Sequence, residues 1–283
     1  MDSEKYCIYH FACYNIQYFA AEEKGSAMYQ QWEITIPELT GDEPRNAYVY
    51  VPDAAVVDDE RRYPVLYMFD GQNLFRDADA SFGKSWGLLE YVTSNNIPLI
   101  IAAIECSHHD EQDECGGRLS EYSPFDFDNS QWGKIRGRGR ITMDYIVNEF
   151  KPFIDEHFPT LPEREFTFIG GSSMGGLMTV YALMAYNHYF SRGAALSPSL
   201  GFCRHDLEAL SDDARIGKTV LYMDYGSREM RRIKTKQLYG DMSARLIAKG
   251  VYLTSRVVPG GNHSEESWER QVPFFLSTIL YDL

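Results

Sequence analysis

The stretch Gly171-Ser172-Ser173-Met174-Gly175 holds the residues best suited to chemistry. It follows the short apolar run Phe166-Thr167-Phe168-Ile169 and opens onto Gly176-Leu177-Met178-Thr179-Val180, an order that reads as strand, one-residue elbow, helix. A serine on such an elbow is held in a strained backbone conformation, so its neighbours must be small. Gly171, Ser172 and Gly175 meet that demand. The elbow also turns the first free helix N–H groups towards the hydroxyl, where negative charge gathers during acyl transfer. The pentapeptide alone would mark only a tight turn. The strand before it and the helix after it make Ser173 a candidate nucleophile.

A serine hydroxyl attacks only when a base takes its proton and an acid orients that base. On an elbow of this type the chain order is nucleophile, acid, histidine, each at the C-terminal end of a strand. Of the seven histidines, His205 and His263 lie late enough. His263 follows the strand-like run 252–258 and the turn Pro259-Gly260-Gly261-Asn262, just before the last helix. His205 follows no strand directly and reads as loop surface. The acid should follow Val220-Leu221-Tyr222-Met223, where Asp224 and Glu229 both qualify and spacing alone does not separate them. The oxyanion hole needs the N–H of Met174 and a second from the loop after the third strand, Asp70-Gly71-Gln72-Asn73. Gly71 permits a sharp turn and leaves the Gln72 N–H as the second donor. Asp70 and Asn73 read as holding that loop by side-chain hydrogen bonds.

Strands must carry these residues to one place. Two antiparallel strands are expected at 31–36 and 47–51, followed by buried strands at 64–69, 99–104, 166–169, 193–196 and 219–223, and a last one at 252–258. Helical patterns cover 85–94, 141–157, 174–186, 234–249 and 265–280, with Pro152 and Pro273 expected to kink or break two of them. Strands alternating with helices imply an α/β fold, a mostly parallel twisted sheet with helices on both faces. Residues 28–283 read as a single domain. Residues 1–27 carry Tyr6, Tyr9, Phe11, Tyr14, Tyr18 and Phe19 without a period. They are expected to be an extension packing either on the body or on a second subunit of a homo-oligomer, with Met28 as a guessed alternative start. The connection 105–139 has no secondary-structure signal, and loops of that length in a compact domain are usually functional.

Composition narrows the class. Hydrophobic residues at 44% without low-complexity tracts describe a globular protein, and the apolar runs are too short to span a bilayer. The N-terminus lacks a basic stretch before a clean apolar segment, so no signal peptide is expected and a cytoplasmic location is the default. A formal charge of −14 argues against nucleic acid or an anionic membrane as partner. The basic runs 134–140 and 228–236 read as solvated surface. Five irregularly spaced cysteines suit free thiols. Cys106, His108, His109 and Cys115 match no standard zinc spacing, so no metal is expected.

Taken together these motifs resemble the esterase family of α/β-hydrolases related to esterase D, feruloyl esterases, enterochelin esterases and mycolyltransferases. The markers are Tyr67-Met68-Phe69-Asp70-Gly71-Gln72-Asn73, Arg118 with Glu121-Tyr122-Ser123-Pro124, and the elbow with its flanking glycines. Leu196-Ser197-Pro198-Ser199 and the closing Pro259-Gly260-Gly261-Asn262-His263 with Trp268 complete the pattern, which runs from about residue 31 to the C-terminus. The resemblance implies an α/β-hydrolase fold without cofactor and serine esterase activity on a small-molecule ester. It also favours Glu229 over Asp224 as the acid, although many relatives have aspartate there. Arg118, Tyr122, Phe125, Phe127 and Trp132, with Phe82 and Trp86, would line an aromatic cleft for feruloyl, acetylated-sugar or catecholate esters. Any one of these aromatics, taken singly, reads rather as packing that closes a loop onto the sheet. An acyltransferase on the same fold is the near rival, and a non-catalytic binding protein on a hydrolase scaffold the distant one.

Overall fold

The computed structural model describes residues 16–17, 28–57 and 60–283. The expectations placed on residues 1–27 lie outside these, apart from Ile16–Gln17. The strands are β1 (Ile16–Gln17), β2 (Met28–Thr35), β3 (Pro44–Val51), β4 (Val65–Met68), β5 (Ile100–Ile104), β6 (Phe127–Asn129), β7 (Gly133–Ile135), β8 (Thr167–Ser172), β9 (Arg192–Leu196), β10 (Val220–Gly226) and β11 (Tyr252–Val258). All but β6 and β7 form one sheet in the order β1-β2-β3-β5-β4-β8-β9-β10-β11. Pairing is antiparallel from β1 as far as β5 and parallel from there to β11. The elbow strand β8 is therefore central, and the carboxyl ends of β4, β8, β9, β10 and β11 share one edge.

A strand covered on both faces reads as a continuous apolar run, with its side chains alternating between two cores. On one face Val65, Tyr67, Ile169 and Met223 pack with the helices 139–157, Met174–Ala185 and Ile233–Ala248. On the other, Leu66, Met68, Phe168 and Tyr222 meet the helices Leu88–Ser94 and Val272–Ile279. Helix Met174–Ala185 is apolar all round because every residue from Met174 to Met184 is buried.

Three expectations need correction, and that for Pro273 is met. Pro152 does not break its helix: a π-helical turn, Ile146–Phe150, precedes it, and Pro152 stands in the first turn of Lys151–His157, where its missing N–H costs little. Pro273 does end a helix, splitting the last one into Glu265–Glu269 and Val272–Ile279. His205 lies not on a loop but on the helix Arg204–Asp213, exposed near Glu208. The connection 105–139 is not structureless. It carries the turn of helix Arg118–Glu121 and the hairpin β6–β7. Its anchors are tertiary: the buried Arg45–Glu121 ion pair, and Arg138 donating to the Leu39 carbonyl at 2.9 Å. Among the described residues no helix is long and apolar enough to cross a membrane.

Candidate active site

Ser173 occupies the turn between β8 and its helix at φ 56°, ψ −117°, a region closed to most side chains. Surrounding bonds hold it there: its N–H donates to the Leu196 carbonyl and its own carbonyl accepts the Ser199 N–H, both at 2.9 Å. The small neighbours are obligatory. A Cβ on Gly171 would lie 2.9 Å from the Gly175 carbonyl carbon, and one on Gly175 would lie 2.9 Å from Phe69 Cβ. As the first helical residue, Met174 has an N–H without an intrahelical acceptor.

The histidine loop reaches the elbow from the sheet edge. His263 Nε2 lies 2.8 Å from Ser173 Oγ, and Nδ1 lies 2.6 Å from Glu229 Oε2. The other Glu229 oxygen accepts the Gly226 N–H at 2.8 Å and the Ser197 hydroxyl at 2.7 Å. Burial presses this carboxyl upward, but the bonds from His263, Ser197 and Gly226 outweigh it and hold the group below the usual glutamate range. The acid and histidine loops are joined by their backbones: Ser227 N–H donates to Val258 at 2.9 Å and Arg228 N–H to Gly261 at 3.0 Å. A Cβ on Gly226 would lie 2.3 Å from the Gly261 carbonyl, so this approach excludes any side chain.

Asp224, the alternative acid, lies elsewhere. β10 runs on to Gly226, so Asp224 is within the strand and shares a face with Tyr222. It is 1% exposed, accepts the Tyr222 hydroxyl at 2.7 Å and the Ser197 N–H at 3.2 Å, and burial pushes its carboxyl up to about 6.

On the other side of the elbow, Asp70 (φ 58°) leads into the turn Gly71–Asn73. A Cβ on Gly71 would lie 2.6 Å from the Tyr48 ring. The Gln72 side chain is committed inward, donating to Cys106 Sγ at 3.1 Å and Ser81 Oγ at 3.3 Å, which leaves its backbone N–H for any role at the site. Asn73 Oδ1 accepts the Ser81 N–H at 2.9 Å. Asp70 holds Arg118 through two bonds of 2.6 and 2.7 Å. Burial works against the Arg118 charge, and the Asp70 carboxylate more than offsets it.

Three expected cleft residues, Trp86, Tyr122 and Phe127, are core instead. Trp86 packs on Trp268 and Phe275, and Tyr122 lies against the Phe69 ring with its hydroxyl accepting the Asp70 N–H; each is 2% exposed. Trp86 and Tyr122 brace the loops of the candidate site from behind, because a large ring at a loop base gains more from burial than from facing solvent. Trp132 is half-buried on Phe202, which also stacks with Phe127. Phe82 is exposed. Cys106 is bonded to Gln72, while His108 pairs with Glu105 and His109 with Asp113. Sequence reasoning assigned no role to Ser197, Ser199 or Trp268. Ser199 Oγ lies 3.3 Å from Ser173 Oγ, and the Trp268 ring packs edge-on to His263. The available signal was position, since Ser197 directly follows β9 at the edge where Ser173 follows β8.

Comparison with known proteins bears on the fold and the family. A family model described as "Putative esterase" matches residues 39–282. Uncharacterized protein YbbA of Bacillus subtilis (strain 168) is 24% identical over 196 residues, covering 68% of this chain and 72% of that protein. Among solved structures, an IroE-like serine hydrolase from Shewanella oneidensis superposes with a TM-score of 0.66 at 21% identity, covering 89% of this chain and 79% of that one. An S-formylglutathione hydrolase from Agrobacterium tumefaciens gives 0.64 at 17% identity, covering 94% and 99%. These structural likenesses carry the fold, and the family model carries the membership. The chain belongs to the esterase family, carboxylic ester hydrolases on the α/β-hydrolase fold.

Proposed function

We propose that the protein is a serine carboxylesterase that cleaves small acyl or aromatic-acyl esters through an acyl-enzyme. One observation carries this reading: His263 lies within hydrogen-bond reach of Ser173 Oγ on one ring nitrogen and of Glu229 on the other. His263 takes the Ser173 proton as Oγ attacks the ester carbonyl, and the N–H groups of Met174 and Gln72 receive the oxyanion. His263 then gives that proton to the departing alkoxide, and the alcohol leaves. Water enters, yields a proton to His263 and attacks the acyl carbon; the tetrahedral adduct expels Ser173 Oγ, which recovers its proton. Glu229 stays ionised throughout, fixing the tautomer and stabilising the imidazolium.

Arg118 and Trp132 remain the candidates to touch substrate, since both are partly exposed while Trp86 and Tyr122 are not. Phe202, against which Trp132 and Phe127 pack, follows Ser199 by three positions, and this supports an aromatic or small acyl group. The test is a panel of acetyl, butyryl, feruloyl and siderophore-type esters, together with labelling by a fluorophosphonate probe. Turnover of at least one ester, with a label absent from Ser173→Ala, is the expected result. A protein inert to both overturns the proposal.

A further inference from the structure

Ser197 leaves β9 in the left-handed backbone region, φ 43°, which a side chain rarely adopts. Its N–H is seated against β10 by two acceptors, the Asp224 carbonyl at 3.0 Å and Asp224 Oδ1 at 3.2 Å. Tyr222 in turn fixes Asp224 from the opposite oxygen. The Ser197 hydroxyl is 2% exposed with its residue, 3.1 Å from Trp268 Nε1 and 2.7 Å from Glu229 Oε1.

The directions of these bonds follow from what each group can do. An indole N–H only donates, and an ionised carboxylate only accepts. Trp268 must therefore donate to Ser197 Oγ, which leaves the single hydroxyl hydrogen for Glu229.

We propose that Ser197 is the positioning residue of the triad acid, a buried hydroxyl aimed by Trp268 and seated by Asp224 that sets the orientation and ionisation of Glu229. The proposal rests on the Ser173–His263–Glu229 reading. Glu229 stands in the turn after β10, and its side chain has one more rotatable bond than an aspartate, so it needs both oxygens held to keep one orientation. His263 holds Oε2, while Gly226 and Ser197 hold Oε1. Deleting the hydroxyl leaves Oε1 with the Gly226 N–H alone, so the carboxylate is aimed less firmly and its ionised form loses one of its donors. The same geometry explains why two carboxylates lie five positions apart: one faces the histidine, and the other seats the residue that holds it.

Ser197→Gly deletes the hydroxyl while leaving a residue at ease at positive φ; Ser197→Ala deletes it and keeps Cβ. Both should lower kcat about 10- to 100-fold, as expected for a lost bond to a charged group, with KM nearly unchanged. The acid limb of kcat/KM should move to higher pH, because Glu229 with one donor fewer takes up its proton more readily. Trp268→Phe, which removes the donor that aims the hydroxyl and trims the ring packed on His263 and Trp86, should move both readouts the same way. It also reads the relay if the Ser197 variants fold poorly. Ser197→Gly with the wild-type kcat and pH profile overturns the proposal, as does a defect in Ser197→Ala that Ser197→Gly repairs. Glu229→Ala separates the two levels. If it retains full activity, the triad reading itself fails; if it is impaired while Ser197→Gly is not, only the positioning role fails.

Discussion

Ser173 stands between a central strand and a helix whose residues from Met174 to Met184 are all buried. His263 stands on a loop beyond β11, the edge strand, whose residues are all exposed or half-buried. The first region is shaped by packing. There the approach of Gly171 to Gly175, and of Gly175 to Phe69, leaves no room for a methyl group. The second is shaped by hydrogen bonds between two loops, and the His263 side chain is 45% exposed. A strained nucleophile needs a core to hold it, whereas an imidazole that passes protons needs directed partners and some access to water. Substitutions in the first region should therefore cost stability along with activity, and those in the second should cost activity first.

The sharpest way to break this comparison is at the reacting atoms. Ser173→Ala should lower turnover of p-nitrophenyl acetate by on the order of 10⁴ or more, with a thermal midpoint close to the parent. Next, Glu229→Ala should lower kcat by roughly 10²- to 10⁴-fold, and Asp224→Ala should lose less. The reverse order in steady-state kinetics would make Asp224 the acid. The glycines then test each region's mode of construction. Gly226→Ala forces the acid and histidine loops apart and should cost about tenfold or more in kcat, by the sensitivity of catalysis to small misplacements. Gly175→Ala should instead appear mainly in denaturant melts, as about 1–3 kcal/mol of overpacking. Equal stability losses in the two glycine variants would remove the distinction.

A last effect concerns pH. Asp224 has a folded-state value of about 6, above its ordinary 3.8. Its contribution to stability is complete below the unfolded value and is lost as pH rises through about 6. Asp224→Asn, which keeps an acceptor for the Ser197 N–H, should therefore gain on the parent between pH 4 and 7. The gain is on the order of 3 kcal/mol at most, read from melts at the two pH values. A gap between the two proteins that does not change with pH would show that burial does not disfavour the Asp224 charge.

The parallel strands and most of the helices were legible because their signals are local: continuous apolar runs for strands covered on both faces, and 3.6-residue spacing for the surface helices. Boundaries moved where tertiary contacts extended an element, as in β10, where the pairing of Asp224 to Gly226 with β11 carries the strand past the expected end at Met223. The hairpin β6–β7 and the turn of helix Arg118–Glu121 left no periodic trace, since they are held by Arg45, Arg138 and aromatic stacking rather than by their own pattern. Trp86 and Tyr122 could be read as cleft or as packing, because a large aromatic on a loop is the same letter whether it faces a cleft or plugs the loop's base.

Sequence by itself determined the elbow at Ser173, because strand, small residues and helix follow one another without interruption and each constrains the next. It also placed Ser173, the two candidate carboxylates Asp224 and Glu229, and His263 in the chain order expected of such a site. Only the tertiary structure decided which carboxylate meets His263 and what holds that carboxylate. The bonds concerned join residues 34 and 32 positions apart, and they depend on Asp224 lying within β10 while Glu229 stands in the turn beyond it. A side chain's chemistry is written in its residue type; its partner is settled by where the sheet brings the chain back.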